Sequence, residues 1–328
     1  MIEYPKNKCG QKDCHHQASD NILTLDHEKI KDLLFKHDKR VIFEQTNCVP
    51  DETEILSELK NFMSPDGIQR KSVLGLDIYQ YSSYGEFEQM LIPFLFKTIF
   101  ETTIDLCFEN HPYIFQSYTK ERIEKSFIST GDGGFLIFDT PMHSLLFACN
   151  YAIVLRIYNA FHFFPRLRKI IGGISTRYAI TYDKVYTYNN NYYGRAIINN
   201  ARILSSDSLN RCLIDEHSHR WFTVNIDGIE NLQVMTIEDV SHICEFNETY
   251  DTSSLINKTD KMFGHEANRN QGIINSDILK IGKIKAKDTD INVYNLHLQV
   301  SMILENNDDP NQKKVVTVSL GNLNTSGI

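Results

Sequence analysis

Apolar and polar positions change period several times along the chain. Leu23 to Phe35 and Glu52 to Phe62 carry apolar residues at helical spacing and predict two short amphipathic helices, the second capped by Asp51. Lys60 to Lys71, with Pro65-Asp66-Gly67, reads as a linker. Ser72 to Tyr79 then reads as a strand. Tyr84 to Thr103 reads as a long helix with Phe87, Met90, Leu91, Phe94, Leu95 and Ile99 on its apolar positions and Pro93 as a kink. Ile123 to Ser129 and Gly134 to Asp139 form a predicted hairpin that turns at Thr130–Gly133. Pro141 to Tyr158 is a helix, and Gly173 to Tyr182 and Lys184 to Tyr188 are strands. Tyr193 to Ser205 is a helix that Ser208 to Asp215 extends.

The stretch from about Asp239 to Ser276 is polar and rich in Asn, Asp and Thr, and predicts a long loop or insertion. Leu279 to Lys287 and Asp290 to Leu304 read as strands. In the first, Lys283, Lys285 and Lys287 alternate with Ile284 and Ala286, which gives one basic and one apolar face. Glu305 to Pro310 is a turn, and Lys314 to Leu320 closes a C-terminal β-hairpin. Hairpins that alternate with helices predict an α+β sandwich of the ferredoxin-like type and not a doubly wound parallel sheet. The expected organisation is a helical N-terminal extension (1–70), a main domain (71–298, with a polar insertion at about 239–276) and a C-terminal β extension (299–328).

Composition narrows the class. Of 328 residues, 41% are hydrophobic, enough for a sizeable core, and the net charge of −8 argues against a general nucleic-acid binder. Seven scattered cysteines, an odd number, and an N-terminus without a signal peptide predict a reduced, cytoplasmic protein. The longest apolar stretch, Ser144 to Leu155, is interrupted by Asn150 and is too short for a membrane span. Cys9, Cys14, His15 and His16 cluster near the N-terminus, but no second cluster has zinc-finger spacing, so zinc is set aside.

The candidate chemistry lies in Ser129-Thr130-Gly131-Asp132-Gly133-Gly134, where an acid sits between glycines and runs into an apolar strand. Asp77 ends the apolar run Val73-Leu74-Gly75-Leu76 in the same way. Two strand-end carboxylates from separate strands are the donor set of a divalent-metal site for phosphoryl transfer.

From about Lys71 to Leu298 the chain resembles class III nucleotide cyclases. The motifs that carry the likeness occur in family order: Leu76-Asp77-Ile78-Tyr79-Gln80-Tyr81-Ser82, Thr130-Gly131-Asp132-Gly133, Arg177 to Val185, Tyr193 to Ile203, and Ile281 to Tyr294. The resemblance implies two ions, Mn²⁺ or Mg²⁺, at Asp77, Ile78 and Asp132. It implies a transition-state arginine at Arg202, and phosphate-binding lysines at Lys287 and at Lys184 or Lys285. It implies a homodimer in which one protomer supplies Asp77 and Asp132 and the other Arg202 and Lys287.

Departures from the family point to the substrate. Where the family carries a purine-reading Lys or Glu, four residues before Asp132, this chain has Ile128; the second purine-reading position is Asn191. An isoleucine neither donates nor accepts. The helix position four before Arg202, an Asn in the family, is Ile198, with Asn199 beside it. Asp288 follows Lys287 where the family has glycine. Tyr79, Tyr81 and Asn191 are candidates to shape the base pocket. A cyclase that keeps its metal acids and loses its purine readers is similar to the pyrimidine cyclases of bacterial Pycsar anti-phage systems. That likeness implies CTP or UTP as substrate, cyclic CMP or cyclic UMP as product, and a separate effector protein activated by it. The alternatives are an adenylate cyclase with an atypical base pocket and a catalytically inactive regulatory module. A GGDEF-like or polymerase palm domain is disfavoured, because such hairpins carry adjacent acids and here Gly133-Gly134 follow Asp132.

Overall fold

The computed structural model describes residues 68–188, 191–235, 237–245, 272–285, 290–306, 309–321 and 326–328. The chain divides into Met1–Ile68 and Gln69–Ile328. The expected N-terminal helices, the Cys9/Cys14/His15/His16 cluster, Lys287 and residues 246–271 of the polar stretch lie outside the described residues.

In chain order the elements are β1 (Ile68–Ile78), α1 (Glu86–Asn110), α2 (Lys120–Lys125), β2 (Phe127–Ser129), β3 (Gly133–Phe138), α3 (Pro141–Asn159), α4 (Pro165–Ile171), β4 (Thr176–Tyr188) and β5 (Asn191–Gly194). They continue with α5 (Arg195–Ser206), β6 (Cys212–Asp215), α6 (Glu216–Ile226), α7 (Ile237–Ile243), β7 (Gly272–Lys285), β8 (Asp290–Asn306) and β9 (Asp309–Leu320). The strand order is β2-β3-β1-β4-β6-β8-β7, with β5 paired to β4 and β9 to β8. Its first four strands, with α1 and α3 as crossovers, form the ferredoxin-like arrangement expected from the alternation of hairpins and helices. Among the described residues no helix is long and apolar enough to cross a membrane.

Strand alternation divides the core into two layers. Leu74, Leu76 and Ile78 of β1 pack with Ile92, Leu95, Leu145 and Phe147 of α1 and α3. Val73 points the other way and meets Ile137, Val185 and Ala196, below α5. Gly75 and Asp77 continue this second face. The α5 helix seats unusually close to β1: a Cβ on Gly75 would lie 2.6 Å from Leu204 Cδ1 and closer still to Asn200 Oδ1. Asn200 is fully buried and donates to Val73 O at 2.8 Å, Ala179 O at 2.9 Å and Thr181 Oγ1 at 3.2 Å. It therefore ties α5 to both central strands.

Several elements differ from expectation. Ile123 to Ser129 is not one strand. Thr119 accepts from Arg122 N and caps the short α2, which leaves only Phe127–Ser129 for β2. Gly173 to Tyr188 is not two strands, because β4 runs unbroken through Asp183-Lys184, whose turn-like hydrogen bond (Lys184 N to Asp183 Oδ1, 2.8 Å) is local. Pro165 starts a helix that the periodicity did not show. The α5 helix begins at Arg195 and not at Tyr193, since Gly194, at φ 139°, ends β5. Ser208 to Asp215 does not extend that helix: Cys212–Asp215 is a fully buried strand, parallel to β4. A short uninterrupted apolar run suits a central strand covered on both faces. At the C-terminus, the expected hairpin is β8 paired antiparallel with β9, and β8 continues unbroken through Leu298.

Candidate active site

β1 and β3 pair antiparallel, with Asp77 opposite Gly133. The turn before β3 is short, closed by Thr130 N donating to Gly133 O at 3.0 Å, and Gly131 within it takes φ 104°. Only glycine adopts such an angle without strain. Asp132 follows, and its carbonyl accepts from Ile78 N at 3.3 Å, which holds the turn against the end of β1. A Cβ on Gly133 would collide with the Leu76 carbonyl, and one on Gly134 with the Ile128 carbonyl and the Phe127 ring. The glycines thus allow the strands to close, and the acid between them is carried to the same end of the sheet as Asp77.

Asp77 and Asp132 line one cavity of about 250 Å³, with Thr130, Phe135, Arg177 and, from α5, Ala201, Leu204 and Ser205. Asp77 is 21% exposed and is gripped by Arg177, itself 20% exposed. Nε donates to Asp77 Oδ2 at 2.7 Å and Nη2 donates to the same oxygen. Arg177 Nη1 donates to Asp207 O at 2.6 Å, so the guanidinium is fixed from both ends. Burial raises the Asp77 carboxyl above its ordinary value; Arg177 opposes this, and the charge of Asp132 adds to it. Burial prevails over the ion pair, so this carboxylate gains from any further cation.

Two carboxylates that repel one another in a partly dry cavity, one of which receives both of its arginine hydrogen bonds on a single oxygen, Oδ2, fit a hard divalent cation. Among the described residues no group of three His, Cys, Asp or Glu side chains converges as a metal site. Mg²⁺ is bound by one or two carboxylates and completed by water and substrate phosphates, so two acids suffice. Ile78, beside Asp77, is buried.

The other expected residues are distributed as follows. Arg202 is half-buried on the α5 face that also carries Ala201 and Ser205, and its carbonyl accepts from Ser205 Oγ at 3.0 Å. Ile198, one turn earlier on that face, is 52% exposed. Asn199 and Asn200 are buried instead, so neither presents its amide beside Arg202. Ile128 is half-buried and pairs with Phe135, a cavity residue. Lys184 and Asn191 are exposed on the β4–β5 hairpin. Lys184 lies seven residues along β4 from Arg177, roughly 20 Å away at strand rise, and is not brought to this cavity. Tyr81 donates its hydroxyl to Gln89 O at 2.8 Å, at the start of α1. Tyr79 donates to Ser208 O at 3.0 Å and lies 5.8 Å below the Arg177 guanidinium.

The residue to which sequence reasoning gave no role is Arg177. A signal was available: it is the one charged position in the alternating run Thr176 to Ile180, on the face opposite Tyr178 and Ile180 and therefore on that of Asp77.

No family model matches the chain, and no curated protein matches it. Among solved structures, the guanylyl cyclase Cya2 is similar over 70% of this chain and 92% of its own, at 9% identity and a TM-score of 0.36. The adenylyl cyclase CyaB from P. aeruginosa is similar over 70% and 94%, at 10% identity and TM-score 0.36. An adenylate/guanylate cyclase/hydrolase from Silicibacter pomeroyi covers 70% and 96%, at 14% and 0.35. With TM-scores below 0.5, the fold is defined by the chain's own strand order.

Proposed function

We propose that this chain is a metal-dependent nucleotide cyclase that converts CTP or UTP to the 3′,5′-cyclic monophosphate and pyrophosphate. The observation that carries the reading is the convergence of Asp77 and Asp132, from separate strands, on one cavity. The ribose 3′-hydroxyl gives up its proton to water as its oxygen attacks the α-phosphorus, the bond from that phosphorus to the bridging oxygen breaks, and pyrophosphate leaves with the electron pair. Bound Mn²⁺ or Mg²⁺ supplies charge neutralisation at the phosphates and lowers the pKa of the attacking hydroxyl. Asp77 and Asp132 would hold the ions, and Arg177 would keep Asp77 oriented while leaving Oδ1 available.

The cavity, at about 250 Å³, is smaller than the sites that enclose a ligand of nucleotide size. Arg202 lies next to it without lining it, and Lys184 and Asn191 are exposed on a hairpin at a distance. This division supports a homodimer in which a second copy completes the site with Arg202 and with Lys287. Arg202 would stabilise the charge that develops on the transferring phosphoryl group. Ile128 on β2, opposite Phe135, offers no hydrogen bond to a purine edge, and this favours a pyrimidine. The product would act on a separate effector protein, as the likeness to the Pycsar cyclases implies.

Incubation of the purified chain with each of ATP, GTP, CTP and UTP and Mn²⁺ tests this reading. A cyclic product from CTP or UTP is expected, with turnover lost at least a hundredfold in Asp132→Asn while thermal stability is unchanged. Product from ATP alone would assign an adenylate cyclase; no product from any nucleotide would leave a non-catalytic module.

A further inference from the structure

A second cleft, of about 670 Å³, shares no residue with the first. It lies between the end of α3, the start of β4, the segment before β6, and β9. Its polar lining includes Arg156, Ser175, Asn210, His297, Thr317 and Ser319, and no aspartate or glutamate lines it among the described residues. Arg156 is exposed and makes no ion pair among the described residues. His297 is 6% exposed, and its Nδ1 is buried with no hydrogen-bond partner among the described residues. An unpartnered buried ring nitrogen is costly unless a ligand or water meets it. The volume is that of a small-molecule site.

The cleft is joined to the catalytic end through the backbone. Thr176 and Tyr178 line it, and Arg177, between them, points to the opposite face and holds Asp77. Asn210 lines it as well, and Asp207, at the start of the same segment, accepts from Arg177 Nη1. A ligand that shifts β4 or residues 207–210 therefore moves the guanidinium that positions Asp77.

We infer that this cleft is an effector site for a small organic anion, with a phosphate or carboxylate head at Arg156 and a hydroxyl-bearing body along Ser175, Asn210, Thr317 and Ser319. The binding claim stands on the cleft alone; the regulatory claim rests on the cyclase reading above.

Isothermal titration of the full chain with inorganic phosphate, ribose 5-phosphate and citrate tests it. The two phosphates and the carboxylate separate the possible heads. Saturable binding is expected for at least one probe, weakened about tenfold in Arg156→Gln and unchanged in Asp132→Asn. Because Arg156 is exposed, the variant should melt as the wild type does. Absence of binding by all three probes, or equal affinity in Arg156→Gln, overturns the site. Nucleotide turnover is then measured with and without the bound probe. A change in kcat or KM that Arg156→Gln abolishes supports regulation, and unchanged turnover overturns that half. If the chain cyclises no nucleotide, the catalytic reading has failed, and the titration still decides whether the cleft binds anions; in that case Mn²⁺ affinity with and without probe replaces turnover.

Discussion

The seat of α5 on β1 can be tested with one methyl group. In Gly75→Ala the added Cβ lies 2.6 Å from Leu204 Cδ1 and nearer to Asn200 Oδ1, where ordinary contact begins at 3.4 Å. Leu204 must retreat by about 0.8 Å, and Asn200 by more, from a position fixed by three hydrogen bonds. Overpacking of a tight core costs about 1–3 kcal/mol, and strain on the buried Asn200 network places this case at about 3 kcal/mol. For a body of this size, that is a fall of roughly 6–12 °C in melting temperature. The helix that moves carries Ala201, Ser205 and Arg202, so turnover should fall along with stability. Differential scanning calorimetry and the nucleotide assay read the two effects. The double variant Gly75→Ala/Asn200→Ala removes the closest collision, so its loss should be clearly smaller than the sum of the two single losses. A Gly75→Ala protein that melts within about 1 °C of wild type, or a double variant with strictly additive losses, would refute the packing argument.

Two further outcomes follow from charges held away from water. Arg177→Met leaves the half-buried Asp77 without its cation, at a cost of about 2 kcal/mol near neutral pH. Because burial already raises the Asp77 carboxyl, the folded state favours its neutral form. Stability from that form is present at low pH and is lost as pH rises through the folded value, so urea titrations should show the variant's deficit growing from pH 4 to pH 8. His143 is fully buried between Thr140 Oγ1 and Ile114 O, and burial lowers it from 6.5 to about 4. Its contribution is complete above about pH 6.5 and is lost as pH falls towards 4, about 3 kcal/mol in all. His143→Gln should flatten the acid limb of the stability curve, and an unchanged limb would sink this assignment.

Local patterning revealed the elements whose burial is one-sided. The alternation in β1, the helix α3 and the glycine-bracketed turn were all legible, because period and turn chemistry are written in neighbouring residues. Cys212–Asp215 was not. A strand covered on both faces has no alternation, and its four buried residues resemble the end of a helix until β4 and β8 are known to flank it. The same limit applied to the site. Asp77 and Asp132 stood out by their setting, whereas Arg177 acquires a role only when β4 is laid beside β1 in register. Asn199 and Asn200 show the reverse: within three residues of Arg202 in sequence, they are turned into the core by the helix.

The crowded glycines after Asp132 have a consequence for how the fold and an ion would share energy. No side chain fits at Gly133, so the turn itself cannot supply a second acid; it must come from β1, and the gap between the two carboxylates is set by the rung that pairs Asp77 with Gly133. Slippage by a single rung would turn Asp77 to the side of Leu76 and Ile78 and dissolve the pair. An ion at this site would therefore act as a latch on strand alignment, tightening the ladder by mass action and letting it breathe when chelated. Amide hydrogen exchange along β1 and β3 would then report metal occupancy without any nucleotide present.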